Sequence, residues 1–272
     1  MMNRFEGKVA IVTGGAAGIG RAICEELGRR QANMVIVADI NGEGAQEVAS
    51  AIMASGGKAR GVYLDVNQAI KMQELVSDTV SQHGQLDYMF NNAGIGVGGE
   101  FRHLNLEHWR HVMDVNLWGV IYGTSAAYQV MINQKSGHII NISSLAGLVP
   151  LPMGTPYATS KHAVMGFSTS LRIEAARLGI KVSVVCPAFI KTGIYDTTPF
   201  VGLKREGAVS ELASMRIMSP ERCACIILRD VERNKAIIAV PKRARLLWWL
   251  HRANPAIIGF FLGKRLAKSQ AR

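Results

Sequence analysis

The sequence predicts an α/β fold, a Rossmann-like doubly wound sheet of seven parallel strands with helices on both faces. Short runs of β-branched and aliphatic residues alternate with helical patterns, and the runs are apolar almost throughout, as strands covered on both faces must be. A glycine-rich turn directly follows the first run, where such sheets carry a ligand-binding loop. A chain of 272 residues, 49% of them hydrophobic, can bury this core in one large domain. The expected division is a main unit over 1–241 and an extension over 242–272.

KVAIVTG (8–14) is the first candidate strand, and nothing ahead of it combines an apolar segment with a cleavage site, so a cytoplasmic location is expected. GIGRAICEELGRRQ then places Ile19, Ile23 and Leu27 at four-residue spacing, one face of a helix. The remaining strand candidates are NMVIVAD (33–39), ARGVYLDV (59–66), LDYMFNNAG (86–94), GHIINISS (137–144), KVSVVCP (181–187) and KAIIAVP (235–241). Before the last of them, SPERCACIILRDVERN begins a helix with Ser219 as cap and Pro220 as first residue. Cys24, Cys186, Cys223 and Cys225 fit neither a disulfide framework nor a zinc or redox spacing, and read as reduced thiols.

The net charge of +11 suggests nucleic acid until it is mapped along the chain. Residues 233–272 hold ten Lys or Arg and no Asp or Glu, leaving 21 basic against 20 acidic residues in the rest. A surplus confined to one end argues for a local partner surface and against a nucleic-acid reading face.

In TGGAAGIG (13–20), Gly14, Gly18 and Gly20 let the backbone turn tightly and approach a pyrophosphate over the following helix N-terminus. Asp39 follows Gly20 by 19 residues, at the end of the second strand candidate. A carboxylate there accepts the ribose hydroxyls of NAD and repels the 2′-phosphate of NADP, so NAD is the expected cofactor. The competing reading is that Asp39 only caps the next helix, or that Arg21 reaches over to accept a phosphate.

Tyr157 and Lys161 lie four apart in YATSK, on one face of a helix. A phenol titrates near 10, so service as a base at neutral pH requires its phenolate to be favoured by roughly 2 to 3 pKa units, about 3 to 4 kcal/mol. A neighbouring ammonium and an oxidised nicotinamide push in that direction. Tyr157 would then take the proton of an alcohol while hydride leaves. Ser144, 13 residues earlier at a strand end, can donate to the substrate oxygen; alone, a Ser-Ser pair there is more often a cap or turn.

With TGGAAGIG, NNAG (91–94), Asn116 in MDVNLWG, Ser144 and YATSK in this order and spacing, the chain resembles the short-chain dehydrogenase/reductase family over about 5–241. The resemblance implies an NAD(P)-dependent oxidoreductase with Ser144, Tyr157, Lys161 and Asn116 as its catalytic set. It implies that Asn116 holds a helix irregularity and a water leading from Lys161 to solvent. Cofactor contacts are implied for Gly14, Gly18, Ile19, Gly20, Asp65, Val66, Asn92, Ala93, Gly94, Pro187, Ile190 and Thr192, beside Asp39, Tyr157 and Lys161. One departure stands out: Ala188 follows Pro187 where the family usually has glycine.

A lid over 189–218, carrying Phe189, Ile194, Tyr195, Phe200, Leu203, Leu212, Met215 and Met218, suits a lipophilic alcohol or ketone such as a steroid. Helices around 107–132 and 157–178 are expected to pair between subunits of a homodimer or homotetramer. In the extension, aromatic and aliphatic clusters alternate with Arg and Lys, and Pro255 divides it into pieces too short to span a bilayer. It reads as a membrane-surface segment or as a helix packed on the protein. His103, His108 and His111 lack the partners of a metal site, and hydride transfer needs no metal. The alternative to an enzyme is an NAD-sensing or membrane-docked binding protein on the same fold.

Overall fold

The computed structural model describes residues 3–202 and 217–270. In chain order these form β1 (Val9–Thr13), α1 (Gly18–Arg29), β2 (Met34–Asp39), α2 (Gly42–Ala54), β3 (Ala59–Tyr63) and α3 (Ala69–His83). Then come β4 (Tyr88–Asn91), β5 (Gly98–Gly99), α4 (Leu106–Met113), a π-helical turn (Asp114–Trp118), α5 (Gly119–Gln134), β6 (Gly137–Ile142), α6 (Thr155–Ala176) and β7 (Ile180–Pro187). After them follow α7 (Ile194–Thr197), β8 (Phe200–Val201), α8 (Pro220–Glu232), β9 (Ile237–Val240), α9 (Lys242–Ala253) and α10 (Pro255–Gln270).

Seven strands make one parallel sheet in the order β3-β2-β1-β4-β6-β7-β9, each at a position where the sequence places a strand. Alternation along the buried strands divides their side chains between two layers. From β1, Ala10 and Val12 pack with Ile23 and Leu27 of α1, Ile52 of α2 and Ile227 of α8. Ile11, between them, packs with Met72 of α3, Met131 of α5 and Ala175 of α6 on the other face. Ser219 caps α8, its Oγ accepting from the Arg222 amide at 3.3 Å, and Pro220 is the first helical residue. The strand order changes direction between β1 and β4, so the loops leaving their carboxyl ends part there and open a crevice.

Two features of the framework have no signal in the hydrophobic pattern. A buried chain of side chains runs across the sheet: Asn91 donates to Thr124 Oγ1 at 3.1 Å and to Asn141 Oδ1 at 2.8 Å, and Asn141 donates to Ser168 Oγ at 3.0 Å. Gly123 makes room for it, since a Cβ there would fall 2.0 Å from Asn91 Oδ1. Separately, β5 and β8 pair in a two-stranded sheet, with the Phe200 ring occupying the place of a Gly98 side chain.

The two ends of the segment expected to be a lid pair with each other. Ile190 bridges Met218, the Lys191 amide donates to Met218 O at 2.9 Å, and Met218 donates back to Phe189 O at 3.1 Å. Ile190 is buried and Met218 packs on the core, so these two belong to the scaffold. Leu203, Leu212 and Met215 lie outside the described residues.

Candidate active site

The crevice is built first by backbone. Gly14 has φ +64 and Gly18 has φ +55, a left-handed conformation that disfavours side chains. A Cβ on Gly14 would lie 2.9 Å from Ala93 Cα, and one on Gly20 would lie 2.0 Å from the Gly14 carbonyl oxygen. Helix α1 starts after Ala17, which offers no side-chain cap, so its first amides are left for an incoming anion. A cavity of about 320 Å³ opens at this helix end, lined by Gly18, Arg21, Thr192 and Gly193 among others. Thr192 stands over Gly18, within 3.1 Å of where its Cβ would be.

Asp39 is tied to the same loop: its carboxylate accepts from the Ala16 amide at 3.0 Å and from the Asn41 amide at 2.9 Å. Helix α2 is capped by Asn41, which accepts from Gly44 N at 3.0 Å. Capping α2 is therefore not the work of Asp39. Arg21 is engaged elsewhere, its Nε pairing with Glu25 at 2.8 Å. From β4, Asn92 donates to the carbonyls of Thr13 and Gly14 at 2.9 and 3.1 Å, while Thr13 Oγ1 accepts from the amides of Asn92 and Ala93. Asp65 accepts from Asn67 N at 2.9 Å, and the buried Val66 packs where Gly119 has no side chain. Pro187 ends β7. Ala188 needs no left-handed backbone and donates to Val240 O at 2.7 Å, so alanine is accommodated there.

Across the crevice, α6 presents Tyr157 and Lys161 one turn apart. Lys161 is buried, its Nζ 5.6 Å from the centre of the Tyr157 ring and donating to Ile142 O at 3.0 Å. Burial holds the ammonium well below its usual range, at about 8. Burial also raises the Tyr157 phenol, and a hydrogen bond from Ser144 opposes that rise. The expectation of an acidified tyrosine therefore rests on additional positive charge arriving in the crevice.

Adjacent hydroxyls at the end of β6 divide their tasks. Ser143 points into the protein and donates to Lys161 O at 2.7 Å, fixing α6 against the sheet; Ser144 accepts from Ala146 N at 3.1 Å and donates toward Tyr157. Asn116 sits in the π-helical turn, fully buried. Its Oδ1 accepts from Ile95 N at 2.8 Å, and its Nδ2 donates to Ile95 O at 2.9 Å and Ser160 Oγ at 3.1 Å. Gly94 lets the two halves approach closely: a Cβ there would lie 3.2 Å from Asn116 Oδ1 and 3.3 Å from Lys161 Nζ.

The family model described as short chain dehydrogenase matches residues 8–199, most of the chain. The chain belongs to the short-chain dehydrogenase/reductase family. A crystal structure of a short-chain dehydrogenase/reductase from Burkholderia phymatum, in complex with NAD, superposes with a TM-score of 0.85 at 27% identity, covering 94% of this chain and 96% of that one. A Mycobacterium tuberculosis protein named as an oxidoreductase, SadH, is 32% identical over 248 residues, 90% of each chain. A 3-oxoacyl-acyl-carrier-protein reductase from Synechocystis is 33% identical over 233 residues, 83% of this chain and 94% of its own.

In this short-chain dehydrogenase/reductase, the residues that sequence motifs pick out are brought to one crevice. Several that hold them there have no role legible in the motifs themselves: Thr13 Oγ1 accepts from the amides of Asn92 and Ala93, Ser143 donates to Lys161 O, and Ser160 donates to Tyr157 O. Cys186 is a further neighbour of Tyr157 and Lys161; burial pushes its thiol up to about 12, so it stays neutral. His108 completes the cap of α4, exchanging hydrogen bonds with Asn105 at 3.0 and 3.2 Å.

Proposed function

We propose that this chain is an NAD-dependent oxidoreductase interconverting a lipophilic secondary alcohol and its ketone, with Tyr157 as general acid/base. The observation that carries the reading is the meeting of three groups from two elements: the Ser144 hydroxyl at the end of β6, and the Tyr157 phenol and buried Lys161 ammonium on α6. Bound NAD would accept the hydride in oxidation and return it, as NADH, in reduction. Tyr157 removes the alcohol proton or returns one to the ketone, and Ser144 donates to the substrate oxygen as charge develops on it. Lys161 keeps a positive charge beside the phenol. Asn116 and Lys161, which both approach Gly94, would pass the proton onward through a water.

The glycine cradle fits a dinucleotide. Gly14, Gly18, Ile19 and Gly20 would hold its pyrophosphate on α1, and Asp39 its adenosine ribose. Asn92, Ala93, Gly94, Tyr157 and Lys161 would line the nicotinamide side, with Pro187, Ile190 and Thr192 opposite and Asp65 and Val66 at the adenine. Asp39 and the engagement of Arg21 with Glu25 favour NAD over NADP. The apolar cluster formed by Leu145, Leu148 and Val149 after Ser144, with Val164 after Lys161, supports a lipophilic substrate. Exposed Leu106 on α4, Trp118 before α5 and Ile173 on α6 support a homodimer or homotetramer, and the extension supports contact with a membrane surface from the cytoplasmic side.

Tyr157→Phe tests the assignment. Turnover of any secondary alcohol with NAD should fall by about a thousandfold or more, with NAD affinity within about threefold of the wild type. A Tyr157→Phe protein that still turns over refutes the acid/base role, and a wild type that binds NAD yet oxidises none of a panel of steroid, retinoid and aliphatic alcohols refutes the enzyme.

A further inference from the structure

The extension folds as two helices that meet at Asn254 and Pro255. On α9, Ala244, Trp248 and His251 recur at helical spacing and turn toward the domain, where Ala244 is buried and Trp248 packs on the apolar cluster of Leu145, Leu148, Val149 and Val164. The outward face should then be polar. It carries instead Leu246, 63% exposed, and Trp249, 54% exposed, with Leu247 and Leu250 beside them. Helix α10 continues the surface with Phe260 at 57% and Phe261 at 64% exposure. Apolar side chains collected in this way mark a surface that meets something.

Charge selects the occupant. Residues 242–272 contain eight Lys or Arg and no acidic residue. Arg252 lies over both tryptophan rings, 5.3 Å from Trp248 and 5.8 Å from Trp249, and Lys264 lies 4.3 Å over Phe260. Cations are thus held among the exposed rings, where a headgroup layer would meet anionic phosphate and the rings would reach the acyl boundary. Among the described residues no helix is long and apolar enough to cross a membrane, which leaves a surface-lying arrangement.

We propose that α9 and α10 form a docking surface for an anionic lipid bilayer, and that docking sets the substrate side of the crevice against the lipid. The second half rests on the lipophilic-substrate reading. It follows from the packing: Trp248 and Ala244 join the buried cluster that includes Leu145, next to Ser144, and Val164, three residues after Lys161, so the extension rests on the elements that carry the site. A lipophilic alcohol dissolved in the bilayer would reach Tyr157 without crossing bulk water.

The test is sedimentation of the full chain with vesicles of phosphatidylglycerol and phosphatidylcholine in equal parts, and with phosphatidylcholine alone. The wild type should partition onto the anionic vesicles about tenfold or more above the neutral ones, and lose that preference at high salt. A combined Trp249→Ser, Phe260→Ser and Phe261→Ser variant should partition about a hundredfold less, with its oligomeric state unchanged. Its turnover of a water-soluble alcohol should stay within about twofold of wild type, and only turnover of a vesicle-dissolved alcohol should drop. Equal partition onto both vesicle types, or none, overturns the proposal. So does a triple variant whose chief change is dissociation into smaller oligomers, the result if a second copy covers this face. Tyr157→Phe separates the two readings: it should sediment like wild type, so failure of docking and failure of the enzyme assignment appear in different measurements.

Discussion

The crevice and the C-terminal extension use charge and apolar surface in opposite ways. In the crevice a lysine is buried, its Nζ is donated to a backbone carbonyl, and its carbonyl is held by Ser143. In the extension the cations lie outside, over aromatic rings that are themselves half exposed. The first arrangement costs stability, because an ammonium has been taken out of water, and is compensated by the surrounding framework. The second costs little in the folded chain and leaves interaction energy to be realised on contact. The groups of the crevice are fixed from behind; those of the extension are left open in front.

The largest effect that sharpens this contrast is expected from Lys161→Met. Turnover should fall by about a thousandfold, while stability at neutral pH should hold or rise, because a desolvated charge has gone. The pH dependence follows. The folded chain sheds the Lys161 proton at about 8, against 10.5 for a solvated lysine. Between those values the unfolded chain binds more protons, so the stability contributed by this residue increases as pH rises through that window. Denaturant titrations at intervals from pH 7 to 11 should show this rise in the wild type and a flatter profile in Lys161→Met. A variant that is markedly less stable at pH 7 would break the contrast.

Next comes Asp39→Ala. Removing the carboxylate should lower the ratio of kcat/KM with NAD to that with NADP by about ten- to a hundredfold, read from paired initial rates. A wild type preferring NADP would reverse the cofactor assignment. Gly123→Ala probes the framework behind the site: its Cβ would land on Asn91 Oδ1, so the chain should lose about 2 kcal/mol in chemical denaturation. Least of all, Trp249→Ser in the extension should alter stability by no more than about 0.5 kcal/mol, since its side chain stands outside the core. A loss comparable to that of Gly123→Ala would mean the extension is part of the fold's support.

Much of the crevice is legible in the sequence because its requirements are local. Apolar runs of strand length, glycines before a helix, and a tyrosine four residues before a lysine each report a geometry that neighbouring residues impose. Even the division of the extension at Pro255 is of this kind. What the sequence conceals depends on distant partners. Ser143 and Ser144 look equivalent until the strand sends them to opposite sides, one to the Lys161 carbonyl and one to the phenol. Gly94 is one of four residues in NNAG, and its role as the point of close approach to Asn116 and Lys161 exists only once three elements converge. Gly98 and Gly99 carry no strand pattern, and pair because Phe200 and Val201 arrive from a hundred residues away. The outward set of the tail aromatics, too, is decided by which residues the apolar cluster accepts.

The electrostatic expectation changed most on passing from sequence to structure. A lysine one turn from a tyrosine suggests an acidified phenol, yet in the free protein burial raises Tyr157 on balance, against the opposing Ser144 hydrogen bond. A lowered phenol is therefore expected only of the cofactor-bound protein.

An ultraviolet difference titration tests that claim directly, with the absorbance of Tyr157→Phe subtracted from that of the wild type to isolate one of six tyrosines. The free protein should show Tyr157 ionising above the ordinary range of a phenol; saturating NAD should move the transition downward, and in Lys161→Met it should return upward. A Tyr157 transition that NAD leaves unmoved, or that is the same with methionine at position 161, would contradict the mechanism.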